Sequence, residues 1–392
     1  MSNLTKYLNI DGLDLSYVFQ RGTTTTNSGY KLSNGNDLSS VFASGTTYKK
    51  TGYTLPNGYD LSTIYAPNLI WSVFNSGINV GAFSGTDIVY TIKAYDSTHI
   101  YAGGGIYTTP DNNIAMWDGT QWMGMGGGRD NSVFTIYAFD PQHVFVGGAF
   151  TGNMSMWNGS SWVWTPPSPA FNGNILTIYA YDLSNVFVGG DFTLPYPNIA
   201  KYNYYSNSWT SITGSGIVGA TTNAIRSIVV YDLSHVFVGG QFTSINGVSG
   251  NFLMYNSINS SWSSCGSPAT YVWTIYVYDL LHVYVGTGST PPVFGMWNGS
   301  TFTILPSVGA SGKVMSIYAR DLSNVYIGGN FADSIVKYNG TASLIKLGTA
   351  SNNKVFSISA LPFSDTMYIA GGFNSIGTPT IVSPYIVKYG VY

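Results

Sequence analysis

Histidine and aspartate carry most of the chemistry open to this chain, which has four histidines and no glutamate among its 17 acidic residues. Each histidine stands three residues after an aspartate: Asp96 and His99, Asp140 and His143, Asp232 and His235, Asp279 and His282. In two further copies Asp182 and Asp321 have Asn185 and Asn324 in the histidine's place. Imidazoles and carboxylates ligate metals, but one ion needs all its donors within about 2 Å. These residues recur on separate repeat units, so they are expected as turn residues and not as one site. An aspartate heading a turn accepts from the backbone two residues on, and Asn and His tolerate left-handed backbone. A glycosidase pair would need two carboxylates about 5–10 Å apart, one of them in an apolar pocket. The non-repeating acids are few: Asp87, Asp111, Asp130, Asp191 and Asp333. Asp130 is expected to form a loop ion pair with its neighbour Arg129. The surrounding GMGGGRD stretch lacks the Lys-Ser/Thr and the following helix of a phosphate loop. No catalytic residue, metal or cofactor is expected, and the chain is read as non-enzymatic.

The elements that hold these pairs come from a repeat. VYTIKAYDSTHIYAGG from Val89 returns as VFTIYAFDPQHVFVGG from Val133, ILTIYAYDLSNVFVGG from Ile175 and IRSIVVYDLSHVFVGG from Ile225. It returns again from Val272 and Val314, and in a worn copy from Val355, with the repeated aspartates 42 to 50 residues apart. Strand units of this period need neighbours on both sides to bury their apolar faces, which predicts a radial array. Each unit parses into four strands: the TIYAYD type, the VFVGG type, a third such as NIAKY, and a fourth after an Asp-Gly or Asn-Gly hairpin. The Gly-Gly doublets predict close backbone approach between units. The last unit lacks a fourth strand, and Leu69 to Asn75, with Trp71 at the tryptophan position, matches the missing pattern. Pairing of that segment with 384–390 would join the N- and C-terminal strands in one sheet. The expected fold is all-β: a seven-bladed β-propeller over 68–392, closed by its terminal strands, behind a short-repeat arm over 1–67.

Composition agrees. Charged residues make up 8% and aromatics 16%, with 31 Tyr and 47 Gly, material for sheets and turns and not for long solvent-facing helices. A net charge of −2 with no basic stripe argues against nucleic acid as a partner. The single cysteine, Cys265, excludes an intrachain disulfide and is expected buried in its strand. No signal peptide and no apolar run of membrane-spanning length is legible, so membrane insertion is not expected.

The doublet, the aromatic after it and the fourth-strand tryptophan, as in Tyr202 to Trp209 and Tyr255 to Trp262, resemble the kelch-type propeller repeat. VFVGGQFTSINGVSGNFLMYN also resembles a related extracellular and cell-surface repeat with a GG-x-F-T core. The likeness covers about residues 68–392 and departs from kelch in the Tyr-Asp ending of the first strand. It implies a fold and not an activity. Kelch-fold copper oxidases need a Cys–Tyr pair and two histidines, whereas Cys265 falls on a fourth strand and the histidines on turns.

Residues 1–67 follow a different period. GLDLSYVF, GNDLSSVF and GYDLSTIY place Asp14, Asp37 and Asp60 at intervals of 23 residues, with Phe19, Phe42 and Tyr65 in step. Asp before Leu-Ser caps a helical turn, and units so small need a surface to dock on. The pattern is similar to segments of structural proteins of tailed phages and giant DNA viruses. These six residues are the candidate docking arm, with other structural proteins of an assembly as partners. With the first strand innermost, the second-to-third and fourth-to-first loops share one face. Arg129, Trp164, Phe171, Tyr196, Tyr271 and Trp273 are its candidate contact residues, suited to a glycan or a host protein. The expected function is a structural or adhesion protein on a virion surface or capsid, assembled in the host cytoplasm. The alternatives are a glycan-binding lectin propeller and a cytoplasmic kelch-like adaptor.

Overall fold

The computed structural model describes residues 70–72, 87–107, 111–164, 170–214, 216–219, 224–268, 271–341, 343–348, 354–361, 364–373, 375–377, 381–382 and 385–390. They belong to one compact unit, Leu69–Tyr392. The arm residues Asp14, Phe19, Asp37, Phe42, Asp60 and Tyr65 lie outside them.

The described chain is all-β and propeller-like, with seven four-stranded antiparallel sheets. Their first strands are Ile88–Ala94, Val133–Asp140, Ile175–Asp182, Ala224–Asp232, Val272–Asp279, Val314–Asp321 and Val355–Ala360, and the sheets are numbered one to seven in that order. Sheet three shows the plan: Ile175–Asp182 pairs with Asn185–Gly190, then Ile199–Asn203, then Ser208–Ser211. Sheet seven takes its fourth strand from the other end of the unit. Ile70–Ser72 pairs with Ile386–Gly390, setting Trp71 opposite Tyr389 at a ring distance of 4.8 Å. The same register puts Tyr202 opposite Trp209 and Tyr255 opposite Trp262.

The outer tryptophans also stitch sheet to sheet. The indole N–H of Trp262 donates to the carbonyl of Ile212, in the chain leaving sheet three, at 2.8 Å. Trp71 makes the equivalent bond to Leu347 in sheet six at 3.1 Å. A buried indole needs such an acceptor, so these tryptophans serve packing.

Neighbouring first strands pack side by side, sheet one beside sheet two and so on, and Val355–Ala360 beside Ile88–Ala94. A first strand is an edge, and its outward N–H groups need partners. A hydroxyl of the preceding sheet supplies one: Thr177 Oγ1 accepts from Ile228 N–H at 3.2 Å, Ser227 Oγ from Ile275 at 3.0 Å and Ser316 Oγ from Ile358 at 2.9 Å. Ser357 Oγ accepts from Ile92 in the same way at 3.2 Å. The Thr/Ser-Ile step of the repeat thus covers four of these edges. The isoleucines beside it are buried, each worth roughly 1.5–3 kcal/mol.

The Gly-Gly doublet does two jobs where the repeat pattern suggests one. A Cβ on the first glycine would strike the next sheet: Gly189 would stand 2.6 Å from Cγ2 of Ile225. The second glycine faces its own sheet instead, since a Cβ on Gly190 would collide with the carbonyl oxygen of Asn174. That carbonyl accepts from Asp191 N–H at 3.1 Å across the sheet.

Two turn expectations are corrected. The Asp-Gly and Asn-Gly connections are four residues long in sheets one, two and five, 118–121 in sheet one, and five long in sheet six, and only the glycine takes positive φ, +99° at Gly119. Asp118 Oδ1 accepts from the N–H groups of Thr120 and Gln121, so the acid acts through its carboxylate. His99, His143, His235 and His282 do not owe their place to left-handed backbone either. Each sets Nδ1 within 2.8–3.0 Å of its aspartate. Asn185 and Asn324 donate from Nδ2 to the same acceptor at 2.9 and 2.8 Å. Histidine and asparagine alternate because each can present a nitrogen to that carboxylate.

Candidate binding surface

Every repeat has a turn end and an opposite end, called the bulge end because all seven first strands slip register there, although five of them slip again just before the turn aspartate. At the turn end all six repeated aspartates accept the backbone N–H two residues on, as in Asp182 with Ser184 at 2.7 Å. The carboxylates are thereby occupied, and Asp96 is held below the usual carboxylate range, its partial burial outweighed by hydrogen bonds from Thr98 and His99. Tyr95, Tyr181, Tyr231 and Leu281 stand exposed around these turns, apolar surface that the repeat's regularity disguises as strand pattern.

At the bulge end each first strand slips register by one residue. The slips fall between Val89 and Thr91, Val133 and Thr135, Ile175 and Thr177, Ile225 and Ser227, Val272 and Thr274, Val314 and Ser316, and Val355 and Ser357. A bulge leaves one residue unpaired and re-aims its side chain. The residues so treated are Tyr90, Phe134, Leu176, Arg226, Trp273, Met315 and Phe356, and all seven are half-buried. Neighbours meet: Tyr90 lies 5.5 Å from the Phe134 ring and 5.2 Å from the Phe356 ring, and the Arg226 guanidinium 4.3 Å from the Trp273 ring. One level deeper, Lys93 sits 5.0 Å over the Tyr137 ring, which lies 4.7 Å from Tyr179. Desolvation pulls the Lys93 ammonium down and pushes both phenols up.

The residues singled out in the sequence divide among three environments. Tyr271 and Trp273 come together at the bulge end, ring centroids 6.0 Å apart. Lys313 brings its ammonium to 4.2 Å from the Trp273 ring, so one indole carries two cations. Arg226 and Lys313 were not singled out; the departure of Arg226 from the aromatic and aliphatic residues at its repeat position is the available signal. Tyr196 is half-buried in the second-to-third loop of sheet three. Trp164 ends the fourth strand of sheet two opposite Met156.

Phe171 and Arg129 are packing residues. Phe171 is 6% exposed, edge-on to Phe192 and Trp209, so its ring is a core element and not contact surface. The expected Arg129–Asp130 ion pair is replaced by separate partners. Arg129 lies 3.4 Å over the Trp162 ring and donates to Ser155 at 3.0 Å. Asp130 accepts from the backbone N–H and the hydroxyl of Thr151. Burial lowers the Arg129 pKa to about 10. Cys265 is buried among apolar side chains, its thiol pushed up to about 12 by desolvation, which leaves it inert near neutrality.

No protein-family model matches the chain, and no curated protein matches it. Solved structures do. The extracellular domain of the putative one-component system BT4673 from B. thetaiotaomicron aligns with a TM-score of 0.57 at 14% identity, over 83% of this chain and 40% of that one. This chain thus spans less than half of that protein. The structure of U3-55K aligns with a TM-score of 0.55 at 11% identity, over 79% of this chain and 97% of that one. The computationally designed Ika8 protein gives 0.51 at 13% identity, over 80% of this chain and all of that one. At such identities the likeness is one of fold. Among the described residues no helix is long and apolar enough to cross a membrane, and no three His, Cys, Asp or Glu side chains gather as metal ligands.

Proposed function

We propose that residues 69–392 form a seven-bladed β-propeller closed by the strand 70–72, and that it is the recognition head of a non-enzymatic structural or adhesion protein. Residues 1–67 mount it on a larger assembly, a virus particle, through their 23-residue units. The single observation that carries this reading is the contrast between the ends of the repeat. At the turn end the repeated aspartates bond the backbone two residues on and the His or Asn three residues on. At the bulge end the seven half-buried side chains differ in kind, and Tyr90 meets Phe134 and Phe356 while Arg226 meets Trp273, as suits one asymmetric contact site and not seven equal ones. The pairing of Trp71 with Tyr389 supports closure, and the kelch-type and viral resemblances of the two segments support the division of labour.

Two experiments test it. Residues 68–392 are compared with the full chain for incorporation into the assembly, or for self-association where no assembly is known. Loss of incorporation is expected, because several docked apolar side chains at roughly 1.5–3 kcal/mol each act together only in tandem. Equal incorporation would place the anchor on the propeller. Deleting residues 385–392 strips the closing sheet of its third strand and is expected to lower the melting temperature cooperatively.

A further inference from the structure

The ring of bulged residues is asymmetric in charge. Tyr90, Phe134 and Phe356 make one sector aromatic, and Leu176 and Met315 are aliphatic. The remaining sector holds Arg226, Trp273, Tyr271 and Lys313, with Trp273 carrying the guanidinium at 4.3 Å and the ammonium at 4.2 Å. Two cations around one indole repel each other, and the ring quadrupole offsets only part of that repulsion. The ion pairs of Arg320 and Lys346 lie elsewhere. Asp191 lends Arg226 some field, but its own oxygens accept from Asn174. Arg226 Nε is buried without a hydrogen-bond partner, a cost that an incoming acceptor would remove.

We propose that this mouth binds a small organic anion, a carboxylate or phosphate ester on an apolar or aromatic body, with Arg226 and Lys313 on the anion and Tyr90, Phe134 and Phe356 against the body. The assignment rests on the propeller reading above and deepens it by naming the ligand class. Size follows from the neighbour spacing of 5.2–5.5 Å. Around Tyr90 the members stand far closer together than the roughly 10–12 Å breadth of an α-helix with its side chains. A single ring or the end of one chain fits, and a helix does not. Guanidinium favours two-point contact with a carboxylate or phosphate, while the ammonium acts as a point charge.

The test is calorimetric titration of the full chain with phenylacetate, phenyl phosphate and, as neutral control, phenylacetamide. Saturable binding of at least one anion is expected, at least tenfold tighter than the amide, and the preferred anion identifies the source of the charge. Arg226→Gln and Lys313→Gln should each weaken that binding about tenfold, and Arg226→Lys should keep part of it. Native melting temperatures in these variants separate lost binding from lost fold, and Lys313→Gln serves if Arg226→Gln unfolds. No saturable binding of either anion, binding equal to the amide, or undiminished binding in the doubly substituted protein would overturn the proposal. Failure here leaves incorporation through residues 1–67 untouched, so the two readings fail separately.

Discussion

Asp182 and Leu176 sit six residues apart on one strand and live under opposite rules. Asp182 spends its carboxylate on Ser184 N–H and on Asn185, the same contacts its five counterparts make. Leu176 occupies a bulge, and its counterparts are tyrosine, phenylalanine, arginine, tryptophan and methionine. Where a side chain closes its own turn, the same kind of group returns in six of the seven copies. Where the backbone alone makes the feature, the side chain is free to differ. Regularity therefore marks the structural end of this repeat and diversity its contact end.

The sharpest way to break this comparison is to attack the bulge itself. Gly190→Val places a branched side chain against the carbonyl of Asn174, which is backbone and cannot step aside. The expected loss is about 3 kcal/mol in urea unfolding, with Gly189→Ala milder because its obstacle is a side chain. An unfolding midpoint unchanged by Gly190→Val would mean that the glycine does not hold the bulge.

At the turn end, Asp232→Ala is expected to cost roughly 1–2 kcal/mol through loss of a charged acceptor, and to leave binding at the mouth unaltered. His235→Asn should stay within about 0.5 kcal/mol, since asparagine fills that place at Asn185 and Asn324. Thermal melts of both variants check the pair. A costly asparagine would show that the imidazole does more than donate to the carboxylate.

Alkali offers a second probe of the sheet interiors near the turns. Burial raises the phenol pKa of Tyr101, Tyr284 and Tyr326, with Asp96 and Asp140 adding to it at Tyr101. A raised folded pKa gives stability that is whole below the unfolded value of about 10 and is lost as pH rises past it. Phenolate absorbance of these residues should therefore appear together with unfolding above about pH 10. Ionisation of all phenols in a still folded chain would contradict the assignment.

A small effect is also expected at the mouth. Met315→Ser removes a half-buried side chain that closes no turn, and should change stability by less than about 1 kcal/mol. A larger loss in a denaturant titration would move the bulge ring from contact surface to core.

The period of the repeat, the strand alternation and the Asp-x-x-His/Asn turns were legible in the residues, because each depends on contacts within a few positions of the chain. Even the terminal pairing of Trp71 with Tyr389 was legible, since a missing strand leaves a gap in a strict repeat. Three things were not. The second glycine of the doublet faces its own sheet, Phe171 is core, and Arg226 and Lys313 meet on Trp273, 47 and 40 residues away along the chain. The first depends on which carbonyl the cross-strand hydrogen bonds bring against the glycine. The other two depend on which sheets lie side by side. The sequence by itself determined the unit and its count of repeats, through local hydrogen bonding and alternation. Only the tertiary structure decided which side chains converge, because a bulge turns a residue out of the alternation that would otherwise have placed it.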